Sequence, residues 1–331
     1  MAKKKDKKAI EKRRAESKEK KSQTRTAKSR AGVSVQFIPR LPMGEIEAPE
    51  GFRPLSISQA TMEYAKPIME YAKGGGIEEL NEIMNISMML WNFTSKVSDR
   101  NVEQKSQIVE AIKTKFNMDD HAANELFDRM IERKDYLFPD DIQPTFPPTI
   151  MFIRKEMSHM IAPFNYAGLN LSTKPIPPDE PDRQAIDKLY KMDQYVLNGT
   201  DYDEWEEFFF SMQEAIIERY QNWLISKGAT EHSQNLAHNI EFFLDFIYRY
   251  THEDVITPSR IHPMYFFQFF EDFILRKLMT EPQYYVTCPP SLKCFYILLQ
   301  EKGYIGDCER IIKVIDGIEQ RFIDILRRQF G

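Results

Sequence analysis

The sequence predicts an all-α protein with two helical-bundle-like domains, preceded by a basic arm and a proline-rich strap. Three observations lead to this fold class. Apolar residues recur at intervals of three and four along most of the chain after residue 56, which is the spacing of amphipathic helices. Proline and glycine stand at the junctions between these segments. No pair of strands is predicted after residue 40.

Composition places the chain among globular proteins. Of its 331 residues, 42% are hydrophobic and 12% aromatic, enough for two compact domains with buried cores. The three cysteines, Cys288, Cys294 and Cys308, form no C-x-x-C pair, which favours a reducing compartment and thiols that act as small apolar groups. No apolar run approaches the roughly 18 residues that cross a bilayer, and the first residues contain no signal-peptide core. We therefore expect a soluble, cytoplasmic protein without a membrane contact.

Residues 1–31 form a basic arm on an acidic body. The arm contains fourteen Lys and Arg against four Asp and Glu, a net charge of +10, whereas the rest of the chain has 31 basic and 46 acidic residues, a net charge of −15. With almost nothing apolar to bury, the arm is expected to be disordered, and its charges can bind phosphates. The candidate nucleic-acid-binding residues are Lys3, Lys4, Lys5, Lys7, Lys8, Lys12, Arg13, Arg14, Lys18, Lys20, Lys21, Arg25, Lys28 and Arg30.

Ala, Ser and Gln between the charges of the arm are typical of segments that become ordered on RNA or DNA. A large RNA, such as that of a ribosome, is the favoured target. Because no aromatic residues lie among the charges, base stacking and sequence preference are not expected. Two alternatives stay open: a tail that docks on the acidic surface of residues 179–227, and a tail that only aids solubility.

Residues 32–56 are predicted to be an extended connector, because Pro39, Pro42, Pro49 and Pro54 disfavour helix. A first helical domain then covers residues 57–162. It begins with a repeat of the sequence MEYAK at 62–66 and 69–73, which a seven-residue spacing places on one helix face, and Pro67 predicts a kink. Further helices are predicted over 77–97, 102–116, 122–131 and 149–161.

Residues 163–180 are rich in proline and are predicted to be an inter-domain linker. The second helical domain, residues 181–331, begins with two acidic helices. The window 179–227 contains twelve Asp and Glu against five Lys and Arg. Its second helix has an aromatic stripe that is expected to be core, and four more helices, with apolar faces at 236–247, 266–278, 292–299 and 311–326, complete the domain. The stripe consists of Trp205, Phe208, Phe209, Met212, Ile216, Tyr220 and Trp223.

One part of the second domain contains a series of family cues. These are Gly228-Ala229-Thr230 before a helix, Ile256-Thr257-Pro258, Phe270-x-x-Phe273-Ile274, the apolar run 291–299, and Gly303-Tyr304-Ile305. Residues 229–305 thereby resemble the helical, SAM-like core-binding domain of tyrosine recombinases, which implies a helical topology. Only 26 residues follow Ile305 and they contain no His-x-x-Arg, so neither the family's catalytic domain nor recombination chemistry is expected here. With six Lys and Arg against nine Asp and Glu, the stretch also lacks the basic surface that binds DNA.

Catalytic motifs are scarce. Glu156 and His159 have the E-x-x-H spacing that places two metal ligands on one helix face, but di-iron bundles need two such pairs and the chain has one. His121 and Glu125, four residues apart, have no further predicted ligands. Phosphate-binding glycine loops and the G-x-S-x-G motif are missing. We therefore predict no catalytic residue, no metal site and no cofactor.

The sequence thus favours a non-enzymatic helical protein. Its arm is expected to bind nucleic acid non-specifically while its body contacts a protein partner that the sequence does not identify. One alternative is a helical interaction scaffold without a nucleic-acid contact. Another is a metal-dependent helical enzyme around Glu156 and His159.

Overall fold

The computed structural model describes residues 41–72, 76–95, 102–145, 149–166, 169, 171, 175–251, 254–278 and 280–331. Helices dominate these residues, which confirms the all-α class. The basic arm, and with it residues 32–40 of the connector, lies outside the described residues. The described chain forms two compact units. The N-terminal unit comprises Leu41–Met160, Ile274–Met279 and Arg327–Gly331, and the C-terminal unit comprises Ile161–Phe273 and Thr280–Leu326.

Four helices and a strand pair build the first part of the chain. After a 3-10 turn at Met43–Glu45, the elements are β1 (Phe52–Ser56), α1 (Ile57–Met69), α2 (Gly76–Ser95), α3 (Val102–Phe116), α4 (Asp120–Leu137) and β2 (Ile150–Arg154). Their apolar faces enclose a core around Tyr64, Leu90, Ile112 and Met130. The helix predicted over 102–116 is confirmed with both of its ends.

The helix predicted over 149–161 is wrong, and so is the expectation that no strand pair follows residue 40. Ile150–Arg154 instead pairs antiparallel with Phe52–Ser56, from Phe52 opposite Arg154 to Ser56 opposite Ile150. A short apolar run fits either a strand or a helix, and here a distant segment supplies a pairing partner. Pro54 is accommodated because both strands of a two-stranded sheet are edge strands.

Pro67 does not end α1, which continues to Met69. Proline lacks the N–H that would bond the carbonyl of Glu63 four residues earlier, and the guanidinium of Arg133 donates to that carbonyl instead, at 3.1 Å. The second MEYAK copy begins at the last residue of α1 and continues into a turn. The repeat therefore does not occupy one helix face.

Sequence-distant segments complete the N-terminal unit. Ser56 and Gln59 form a capping box at the start of α1. The Gln59 amide then donates to the carbonyls of Leu275 and Leu278, at 2.9 and 2.7 Å. The ammonium of Lys155 donates to the carbonyl of Arg328 at 2.8 Å.

From residue 180 the chain is helical with short turns. The elements are α5 (Glu180–Leu197), α6 (Tyr202–Ser226), α7 (Ser233–Leu244), a π-helical segment (Asp245–Tyr250), a 3-10 turn (Pro258–Arg260), α8 (Pro263–Gln268), a second π-helical segment (Phe269–Ile274), α9 (Leu275–Lys277), α10 (Pro282–Tyr285), α11 (Cys288–Glu301) and α12 (Glu309–Phe330). The predicted helices over 181–227 and 292–299 are confirmed.

Aromatic side chains form the centre of the C-terminal unit. Phe243, Phe246, Phe269 and Phe270 are fully buried, and the ring of Phe269 lies 5.2 Å from that of Phe243 and 5.4 Å from that of Phe246. These edge-on and tilted arrangements are the favourable ones for aromatic pairs. The predicted apolar faces of the stretch 229–305 are thus core.

Candidate functional site

The candidate metal ligands weighed in the sequence do not assemble into a group of three or more among the described residues. Glu156 and His159 follow β2 in irregular chain rather than on a helix, so they share no helix face, and Glu156 lies 3.8 Å from the guanidinium of Arg133. His121 and Glu125 are both exposed, with Nδ1 and Oε2 3.9 Å apart. Among the described residues, no three His, Cys, Asp or Glu side chains are arranged to hold a metal ion.

The cysteines are buried and chemically quiet. Cys288, Cys294 and Cys308 are free thiols in the interior of the C-terminal unit. Burial raises the pKa of all three, that of Cys294 to about 12. Because the thiolate is the reactive form, these residues act as small apolar groups, as their lack of C-x-x-C spacing suggested.

Most of the aromatic stripe of α6 is core, as predicted, but Phe208, which was counted in it, is only half-buried. Trp205, Phe209, Met212, Ile216 and Tyr220 are each at most 2% exposed. The helix shows a different character on its opposite side, where Phe210 is 47% exposed. The stripe alone did not indicate this second face, although the excess of acids in residues 179–227 was a signal for it.

This outer face of α6 is a row of carboxylates, which we call the acidic row: Asp203, Glu207, Glu214 and Glu218, all exposed. Their spacings of four, seven and four residues keep them on one side of a helix. At 1.5 Å per residue the row is about 22 Å long. Phe210 lies near the middle of the acidic row, on the same side of the helix.

Three members of the acidic row, Asp203, Glu207 and Glu214, form no ion pair within the described part of the chain. The basic residues of the window 179–227 contact other groups: Arg183 contacts Glu180, Lys188 contacts Ser211, Lys191 lies over the ring of Phe208, Arg219 contacts Asp179 and Asp182, and Lys227 contacts Glu301. Of these, only Arg219 contributes an electrostatic interaction with Glu218.

The exposed ring of Phe210 already has one cation against it, the guanidinium of Arg249. The guanidinium carbon lies 5.1 Å from the centroid of Phe210, within cation–π range. The same guanidinium bonds the carboxylate of Asp245 at 3.0 Å. The outer face of α6 therefore offers carboxylates and an aromatic ring, both of which attract Lys and Arg side chains.

A second polar cluster lies in the interior. The buried carboxylate of Asp193 accepts a hydrogen bond from the hydroxyl of Tyr248 at 2.6 Å and another from the hydroxyl of Tyr304. These residues come from α5, from the first π-helical segment and from the chain after α11. Burial raises the pKa of Asp193 to about 6, although both tyrosines oppose the rise. The cluster therefore links three elements of the C-terminal unit.

The Asp193 cluster leads to a prediction on pH. Because the pKa of Asp193 rises from 3.8 to about 6 on folding, the folded state binds the proton more tightly. The contribution of Asp193 to the free energy of unfolding is therefore complete below pH 4 and is lost as the pH rises through 6. The total loss is about 3 kcal/mol, at about 1.36 kcal/mol per pKa unit. Asp193→Asn should remove this dependence.

Urea unfolding of the wild type and of Asp193→Asn between pH 4 and 7.5 measures the effect. We expect the stability of the variant relative to wild type to increase over this range, whatever the constant cost of the altered hydrogen bonds. A difference between the two proteins that does not change with pH would contradict the prediction.

In comparisons with known proteins, no family model, curated protein or solved structure matches this chain. The resemblance of residues 229–305 to the core-binding domain of tyrosine recombinases therefore stays a prediction. Among the described residues, every helix is too short or too polar to span a bilayer.

Proposed function

We propose that this protein binds nucleic acid non-specifically through residues 1–31, with RNA favoured over DNA, and that its body contacts a protein partner in the cytoplasm. The observation that carries the proposal is the division of charge along the chain. Fourteen Lys and Arg give the arm a net charge of +10, against −15 for the rest. Phosphates are attracted to the first and repelled by the second.

The body gives further support to the arm as the contact. Its acidic row would repel a phosphate backbone. Within the core-binding-like stretch, Lys293 and Lys302 are buried in ion pairs with Glu319 and Asp182, at 2.7 and 2.8 Å. These ammonium groups are engaged inside the protein and would not reach phosphates. Charge neutralisation by the arm, with release of the counterions, is then the main source of affinity.

The test is a filter-binding titration of a single-stranded RNA and of a DNA duplex between 50 and 300 mM salt, with the full chain and with residues 32–331. We expect the full chain to bind more than about tenfold tighter at the low-salt end, with affinity that falls steeply as salt increases. Random-sequence RNAs should bind alike, because the arm has no aromatic residues for stacking. Equal binding by the full chain and by residues 32–331 would show that the arm is not the nucleic-acid contact.

A helical interaction scaffold without nucleic-acid contact is the second candidate. It is favoured by an apolar stripe along α2, where Ile77, Leu80 and Met88 are 79%, 42% and 40% exposed and Met84 between them is half-buried. Exposed apolar stripes of this kind are typical of protein-binding helices. Capture from lysate with and without nuclease separates the two functions. Retention of a protein partner after nuclease treatment, by a chain that fails the RNA titration, would favour the scaffold.

A further inference from the structure

The acidic row on α6 needs an explanation because it concentrates like charge. Four carboxylates lie within about 22 Å on one face of a helix, and like charges at close helical spacings destabilise the helix. The opposite face of α6 is fully engaged in the core. The row is therefore a surface that a cationic partner would stabilise.

The chain itself contains a cation of matching chemistry. Residues 1–31 carry fourteen Lys and Arg, and ten residues separate Arg30 from Leu41, where the described chain begins. A segment of about 30 residues reaches up to ~100 Å when extended, several times the length of the row. Because both partners belong to one chain, docking of the arm is an intramolecular step that does not depend on protein concentration.

We propose that residues 1–31 dock on the acidic row of α6 when no nucleic acid is bound. Lys and Arg of the arm pair with Asp203, Glu207, Glu214 and Glu218, and a further cation lies against the exposed ring of Phe210. The contact of Arg249 with the same ring shows that its surroundings accept a guanidinium.

Docking regulates the proposed function, on which this consequence rests. Phosphates and the acidic row compete for the same basic side chains, so the arm must leave α6 before it binds RNA. The apparent affinity for RNA equals the intrinsic affinity multiplied by the fraction of chains whose arm is free, so docking lowers it. Added salt weakens both contacts, so the effect of docking is largest at low salt.

The experiment neutralises the row in the full chain, with Asp203→Asn, Glu207→Gln, Glu214→Gln and Glu218→Gln combined. A matched control makes the same change in net charge on the N-terminal unit, with Glu78→Gln, Glu103→Gln, Glu132→Gln and Asp141→Asn, all at exposed positions. We expect the row variant to bind a 20-nucleotide poly-U about tenfold tighter than wild type at 50 mM salt, with the control close to wild type. The gain should disappear in residues 32–331.

A second readout follows docking without RNA. A zero-length carbodiimide joins lysine amines to carboxylates that lie in contact, and mass spectrometry locates the joined residues. We expect joined pairs between arm lysines and Glu207, Glu214 or Glu218, and their loss when poly-U is added. In an equal mixture of unlabelled and ¹⁵N-labelled protein, the joined peptides should carry a single label; mixed labels would identify a second copy as the occupant and overturn the proposal.

The outcomes separate this inference from the proposed function. Equal gains in affinity by the row variant and its control, together with no arm-to-row cross-links, would overturn docking while arm-dependent RNA binding stands. Equal RNA binding by the full chain and residues 32–331 would overturn the proposed function, and the cross-links would then decide docking alone.

Discussion

Lys227→Met is expected to lower the free energy of unfolding by about 3–5 kcal/mol. The side chain of Lys227 is 1% exposed, and its ammonium lies 3.1 Å from the carboxylate of Glu301, whose side chain is 6% exposed. Removing the cation leaves a buried carboxylate without its counter-charge, and the desolvation of that anion is then uncompensated. Hydrogen bonds from the backbone of Ile176 and the indole of Trp223, at 2.8 and 3.2 Å, remain and limit the loss.

Chemical unfolding monitored by circular dichroism measures this loss. Glu301→Gln should also destabilise, and the double variant Lys227→Met/Glu301→Gln should lose less than the sum of the two. The control is Lys313→Met, which breaks an exposed pair with Glu309 whose side chains are 72% and 70% exposed; it should cost at most about 1 kcal/mol. Additive losses in the double variant would show that the pair is not coupled.

Phe269→Ala is expected to lower the free energy of unfolding by about 3–5 kcal/mol. The ring is fully buried and lies within 6 Å of four other rings, those of Phe243, Phe246, Phe270 and Phe273. Truncation removes the burial of the ring and leaves a cavity that four large neighbours cannot fill without shifting.

Phe267, two residues earlier, offers the matched control, because it is the same residue type and is 36% exposed. Phe267→Ala should cost well under half as much, since less area is returned to water. Thermal or urea unfolding of Phe269→Ala and Phe267→Ala measures the two losses of stability. Similar losses would mean that Phe269 is not the centre of the cluster.

Much of the helical architecture is local in origin and was therefore predictable. The ends of α3 and the buried stripe of α6 follow from residues three and four apart on one face. The acidic excess of 179–227 was visible as well, and the spacing of Glu207, Phe210 and Glu214 already places them on one side of a helix. Only the packing of the opposite side of α6 in the core decides that this side is the exposed one.

Other features needed partners far along the chain. The run 150–154 became a strand because Phe52–Ser56 pairs with it, and its apolar pattern alone fits a helix equally well. This pairing also removes Glu156 and His159 from any helix, and with it the basis for a metal site. The carbonyl of Glu63 that Pro67 leaves without its helical N–H likewise finds a distant donor in Arg133, which no local signal reveals.

By itself, the sequence determined that the described chain is helical, where most helices lie, and that charge is divided between arm and body. Helical periodicity and net charge are properties of single segments, so they can be read along the chain. The tertiary structure alone decided which charges are buried in pairs, as in Lys227 with Glu301, and which remain exposed in a row on α6. The reason is that burial and pairing depend on neighbours that folding brings together from distant positions.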